Sequence, residues 1–204
     1  MIHFTIAYKY YNGRPEPSFL LGSVAPDAVL VRKKDTEGKI KSHLGRSLET
    51  DDYLNFMKSN YITNIKDRNY FNFLLGYIAH VFVDLKWADL KHQISYHDRS
   101  LKEQIWQEEN QMDFHLYQNV DWREELVEAI KVSPIYELDQ MYTLNELDEW
   151  RCKIFAWLDD SNNEPKIENE YITIDRVESF IKQVTKELSE LIEELERFSI
   201  REKR

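Results

Sequence analysis

At 204 residues, with 42% hydrophobic and 31% charged side chains, the chain is long enough for one well-filled core and ordinary in composition for a globular fold. Its 37 acidic residues outnumber its 27 basic ones, giving a formal charge of -10 with no basic stripe, which argues against nucleic acid as a partner. One cysteine, Cys152, leaves no internal disulfide and no sulfur-rich zinc site, and no stretch approaches the ~18 to 20 apolar residues of a membrane span.

Gly and Pro are scarce, at five each, whereas Tyr, Phe and Trp number twelve, ten and five. Sheet proteins spend Gly and Pro on many turns, so this balance predicts long helices and few connections, an all-α fold. The opening Met1-Ile2-His3-Phe4-Thr5 lacks the basic and apolar regions of a secretory leader, so the cytoplasm is the expected location.

In chain order, an apolar, aromatic segment from about His3 to Tyr11 ends at the Asn12-Gly13 turn signal. Pro15 and Pro17 introduce a short helix that Ser18 is expected to cap and that stops near Pro26. The Lys-rich stretch from Arg32 to Lys41 reads as an exposed loop delivering Ser42 and His43. Helices are predicted over about 51–60, 101–118, 122–131 and 144–158, and over the most apolar segment, about 70–90, a helix buried on most sides. The run from Asp159 to Pro165 is the best linker candidate, ahead of a last helix over about 174–198. Val177, Ile181, Val184, Leu188, Leu191, Leu195 and Phe198 form a heptad seam along it. Such a seam either pairs two copies of the chain or, the commoner use of three heptads, closes the bundle. The expected organisation is a single domain over 1–204.

Chemistry concentrates on His80 and Asp84, four apart on the apolar helix and so on one face, within reach of one ion. Gly76 and Ala88, a turn before and after, are small enough to leave room above that face. The plain alternative is a buried His–Asp hydrogen bond that satisfies two core groups. Further candidates are His3 in an apolar segment, Asp27 directly after Pro26, and His43 at the edge of the polar stretch. Burying an imidazole or a carboxylate costs energy unless it is paired or coordinated. Imidazole and carboxylate ligands together suit zinc and similar divalent metals. Glu109 and Asp113 add two carboxylates four apart on a predicted helix, a pattern that is more often a solvated face.

Taken in order, these pieces resemble the bacterial zinc-dependent phospholipase C family and its relatives of the phospholipase C/P1 nuclease fold. Ile2-His3 followed by an apolar helix, Leu21-Gly22 running to Asp27, and Ser42-His43 match that pattern. So do Leu75-Gly76-Tyr77-Ile78-Ala79-His80-Val81-Phe82-Val83-Asp84 and Glu109-Asn110 with Asp113 after it. The matched motifs lie within 1–118, and 119–204 reads as additional bundle helices. The resemblance implies a helical bundle around a buried cluster of one to three zinc ions, and hydrolysis of phosphate esters. It places His43, His80, Asp84 and Asp27 on the principal metal, His3 and Asp84 on a second, and Glu109 on a further one. Asp27 becomes the candidate base or orienter of the attacking water.

The sequence departs from the family where two further histidines are expected, at positions that read Leu90 and Ile105. His92 or His97 would substitute only with a rearranged loop, and His115 could reach a Glu109 site; Asp113 is a further candidate. One or two ions therefore fit this chain better than three. The expected activity is a metal-dependent phosphoric-ester hydrolase or phosphodiesterase, phospholipase C-like, acting on a small phosphate ester or a phospholipid headgroup. A non-catalytic, metal-stabilised binding or scaffold bundle is the alternative.

Overall fold

A computed structural model of the chain describes residues 1–33, 35–43, 50–65, 67–95, 98–138 and 141–202, and among these residues there is no strand. Among the described residues the chain folds through nine α-helices: α1 (Ile2–Tyr10), α2 (Pro17–Gly22), α3 (Thr36–Ser42), α4 (Thr50–Asn60), α5 (Arg68–Ser95), α6 (Lys102–Asn119), α7 (Arg123–Val132), α8 (Leu144–Asp159) and α9 (Ile174–Glu202). A 3₁₀ segment, Ala25–Val31, follows α2. No described helix is long and apolar enough to cross a membrane.

The apolar run that marked α5 in the sequence becomes the axis of the bundle, with every residue from Tyr70 to Val83 buried. Such a helix must be covered on all sides. α2 covers one side at very close range. A Cβ built on Gly76 would stand 2.1 Å from the Phe19 carbonyl oxygen, and one built on Gly22 would stand 2.1 Å from that of Phe73. The two backbones therefore touch where both residues lack a side chain. Gly76 does not leave room for an ion, as its position beside His80 suggested; its space is filled by α2.

α9 closes another side. Val177, Ile181, Val184, Leu188, Leu191 and Leu195 are all buried within the chain, and α9 packs on α1 and α5. The heptad seam is thus spent inside the bundle, the closing-helix use. Between α8 and α9, the acidic side chain of Glu108 is fully buried on α6 and accepts hydrogen bonds from the backbone N–H of Tyr171 (2.7 Å) and Ile172 (2.8 Å) and from Gln104 (3.0 Å). Asn169 adds a bond to the Glu108 carbonyl at 2.9 Å. The approach to α9 is tied to α6 by these bonds.

Two further local expectations need correction. Ser18 lies buried inside α2, because Pro17 takes the first helical position, where its missing N–H costs nothing. The Arg32–Lys41 stretch is not wholly loop: Asp35 caps α3 by accepting from Gly38 N–H at 2.8 Å, and Lys39 and Lys41 sit in the last turn, where they favour the helix dipole. Arg32 then anchors this region to α8 with a two-pronged bond to Glu146 (2.5 and 2.8 Å) and one to Asp35 (2.9 Å).

Candidate metal centre

His80 rises from the middle of α5 and is 1% exposed. Its Nδ1–H is 2.8 Å from the carbonyl oxygen of Ser23, the residue that follows α2. The glycine contact between α2 and α5 thus sets the orientation of this ring. With Nδ1 donating, Nε2 carries a lone pair. His43 follows α3 and repeats the arrangement, its Nδ1 lying 3.0 Å from the carbonyl of Lys39 in the preceding helical turn. Ser42, whose carbonyl accepts a hydrogen bond from the fully buried hydroxyl of Tyr77, fixes the same segment onto α5.

The two Nε2 atoms meet at 3.3 Å. Asp27, from the 3₁₀ segment, brings its carboxylate within 3.5 Å of His43 Nε2 and 3.8 Å of His80 Nε2. Asp84, one turn beyond His80, brings Oδ2 within 3.5 Å of His43 and 3.6 Å of His80. Two Nε2 atoms and two carboxylates therefore converge with Lys39 Nζ at their edge, 3.6 Å from Asp27, a crowding of lone pairs and negative charge that a cation among them would relieve. A tetrahedral ion with bonds of ~2.0 to 2.2 Å has ligand–ligand edges of ~3.3 to 3.6 Å, which the His43–His80, His43–Asp84, His80–Asp84 and His43–Asp27 Oδ1 separations match, whereas His80 meets the other Asp27 oxygen, at 3.8 Å. The donor set and its spacing fit zinc. Asp27 Oδ1 is moreover buried without a hydrogen bond.

His3 completes a second set. Its ring stacks on His80 with centroids 4.1 Å apart, and its Nε2 lies 3.3 Å from Asp84 Oδ1, while Nδ1 is buried without a partner. The two oxygens of Asp84 thus face different imidazoles. Two groups of side chains could hold a metal ion, His3 with His80 and Asp84, and Asp27 with His43 and His80, the ligand atoms of each lying within 4.8 Å of one another.

Electrostatics in the absence of a cation follow from the same crowding. Burial, reinforced by His80, pushes His43 down to about 4. Burial and His80 likewise lower His3. Burial also works against a charged His80, but the pull of Asp84 and then of Asp27 outweighs it and raises the group. For Asp84 burial opposes the charge, yet His80 and His3 hold its carboxyl well below the usual carboxylate range.

The remaining candidates lie elsewhere. Glu109 on α6 accepts from the Trp87 indole N–H and from Lys91 Nζ at 2.8 Å, and is not brought into the cluster. Asp113, one turn on, binds the terminal ammonium of Met1 at 2.6 Å. His115 is exposed beside Gln111 and Ile167, and His92 is exposed in the last turn of α5. His97 lies outside the described residues. Sequence reasoning missed Tyr77, three residues before His80 and therefore on its face, and Lys39, four before His43. The latter spacing carried no message while the segment read as loop.

Beside the cluster opens a cleft of about 460 Å³, walled by His43, Asp84, Ile40, Val81, Trp87 and Ala88 among others. Ala88, unlike Gly76, does leave space.

The family model for zinc dependent phospholipase C matches residues 2–192 of this 204-residue chain, which reaches well past the motifs and into α9. No curated protein and no solved structure matches. With its helical fold, its converging histidines and aspartates and a match over most of its length, the chain belongs to the zinc-dependent phospholipase C family.

Proposed function

We propose that the protein is a metal-dependent phosphoric-ester hydrolase, phospholipase C-like, in which His43, His80, Asp27 and Asp84 hold zinc and His3 with Asp84 holds a second ion. The observation that carries this reading is the convergence of two imidazole Nε2 atoms and two carboxylates, from three separate stretches of chain, at 3.3 to 3.8 Å. Zinc, when bound, polarises a phosphoryl oxygen and lowers the pKa of water toward ~7. Asp27 then orients the attacking water and takes its proton, its Oδ1 being buried without a hydrogen bond. As the water oxygen bonds to phosphorus, the ester P–O bond breaks, the departing alkoxide takes up a proton from solvent, and Asp27 releases to solvent the proton it accepted. Lys39 Nζ lies 3.6 Å from Asp27, and the same residue lines the cleft. The Ser23 and Lys39 carbonyls keep both imidazoles in the tautomer a metal requires, an orienting role that commonly governs affinity. The substrate is a small phosphate ester or a phospholipid headgroup admitted by the cleft.

The test is zinc content together with phosphate release. Wild-type protein purified without chelator should carry zinc and hydrolyse chromogenic phosphate esters. Asp27→Asn should retain the metal and lose at least about a hundredfold in rate. Hydrolysis that persists unchanged in Asp27→Asn removes Asp27 from the mechanism; zinc without any hydrolysis favours the scaffold reading.

A further inference from the structure

The cleft beside the cluster carries two ammonium groups in a chain whose formal charge is -10. Lys39 Nζ stands at the cluster end, 3.6 Å from Asp27, and Lys91 Nζ stands against Glu109 at 2.8 Å. Asp84, Ala88 and Lys91 follow at spacings of four and three on α5, so they share a face. Seven residues of helix place Lys91 about 10 Å along the axis from Asp84. Between them Ala88 keeps the floor low, and Ile40 and Leu85 supply apolar wall. Each lysine now balances a carboxylate. A cation in the cluster engages Asp27, and Lys39 is then left facing the cleft without its counter-ion. A lysine beside a cation site also costs that site affinity through like-charge repulsion, a cost that an anion lying between the two offsets.

From these observations we infer that the cleft is an anion subsite: resting on the hydrolase reading, it selects phosphate esters that carry a second negative charge about 10 Å from the phosphorus under attack. Lys91 grips the distal anion and Lys39 bridges the two ends. A cationic headgroup such as a quaternary ammonium is disfavoured, because a pocket for one is walled by several aromatic faces, whereas among the described residues of this wall Trp87 is the one Phe, Tyr or Trp and two lysines flank it.

Calorimetric titration of the zinc-loaded chain with three probes tests this: inorganic phosphate, phosphocholine and pentane-1,5-diol bisphosphate, whose extended chain sets its phosphorus atoms about 10 Å apart. The bisphosphate is expected to bind about tenfold tighter than phosphocholine. Lys91→Gln should remove about tenfold of that affinity, leaving zinc content and the phosphate Kd unchanged, and Lys91→Arg should restore it. Glu109→Gln, which frees Lys91 from its carboxylate, should tighten the bisphosphate severalfold. Equal binding of the bisphosphate by wild type and Lys91→Gln overturns the proposal. Failure of the hydrolase reading shows separately, as absence of zinc or of phosphate release, and the wild-type to Lys91→Gln ratio still decides the subsite in metal-free protein. Two substrates bearing the distal charge, a short-chain lipid with a phosphorylated headgroup and its soluble headgroup phosphodiester, separate a membrane source from a soluble one. A Lys91→Gln loss on either supports the subsite, and a loss on neither refutes it.

Discussion

Replacing Gly76 by alanine adds one methyl group at the point where α2 and α5 touch. That methyl would stand 2.1 Å from the Phe19 carbonyl oxygen, 2.9 Å from the Ser23 nitrogen and 3.0 Å from the Phe19 carbonyl carbon, all backbone atoms that no rotamer change can move. Ordinary contact begins near 3.4 Å, so α2 must retreat by about 1.3 Å, the difference between 3.4 and 2.1. Overpacking of this kind costs about 1–3 kcal/mol, against which alanine returns up to about 1 kcal/mol of helix propensity. The net expectation is a loss of about 1–2 kcal/mol, or about 2–8 °C in Tm for a chain of this size. The retreat also carries away the Ser23 carbonyl, whose 2.8 Å bond to His80 Nδ1 sets the tautomer of that ring, so zinc affinity should fall by about tenfold. Thermal unfolding of the metal-free protein and a competitive zinc titration measure the two effects separately. A Gly76→Ala protein that melts within 1 °C of wild type and binds zinc equally well would refute the account of this crossing and of its hold on His80.

Three further outcomes are expected. Tyr77→Phe leaves the buried Ser42 carbonyl without its donor, costing about 1–3 kcal/mol of stability, and loosens His43 so that zinc binding weakens by about tenfold; unfolding curves and zinc titration check both. Asp84→Asn removes the carboxylate shared by both ligand sets and should lower zinc affinity by at least about a hundredfold, read as zinc retained after dialysis. The Arg32 guanidinium, then burial working the other way, set Glu146, and the attraction wins, holding its carboxyl down to about 2 from an ordinary 4.5. A depressed acid stabilises the fold above its unfolded value and loses that contribution as pH falls, so about 1–2 kcal/mol, after solvent screening, should disappear between about pH 4.5 and 2 in wild type but not in Glu146→Gln.

Much of the site was legible because it rests on local spacing. His80 and Asp84 are one turn apart, and the unbroken apolar sequence around them could only be a buried helix. His3, Asp27 and His43 could be nominated as ionisable groups near apolar segments, but their convergence depends on how α2 crosses α5, which no local pattern encodes. Glu109 shows the opposite limit: its own spacing read as a solvated helix face and the family resemblance named it a ligand, while in the structure Lys91, eighteen positions away on the neighbouring helix, pairs with its carboxylate. The α3 turn was hidden by its lysines, since the cap that makes it helical is the single side chain of Asp35.

Asp84 turns Oδ1 toward His3 and Oδ2 toward His43 and His80. One unit of negative charge therefore serves both sides, and whichever side fills first leaves the other a weakened electrostatic attraction. On the proposed two-ion reading, loading would be sequential and the first ion the tighter, so limiting metal would give a singly occupied form.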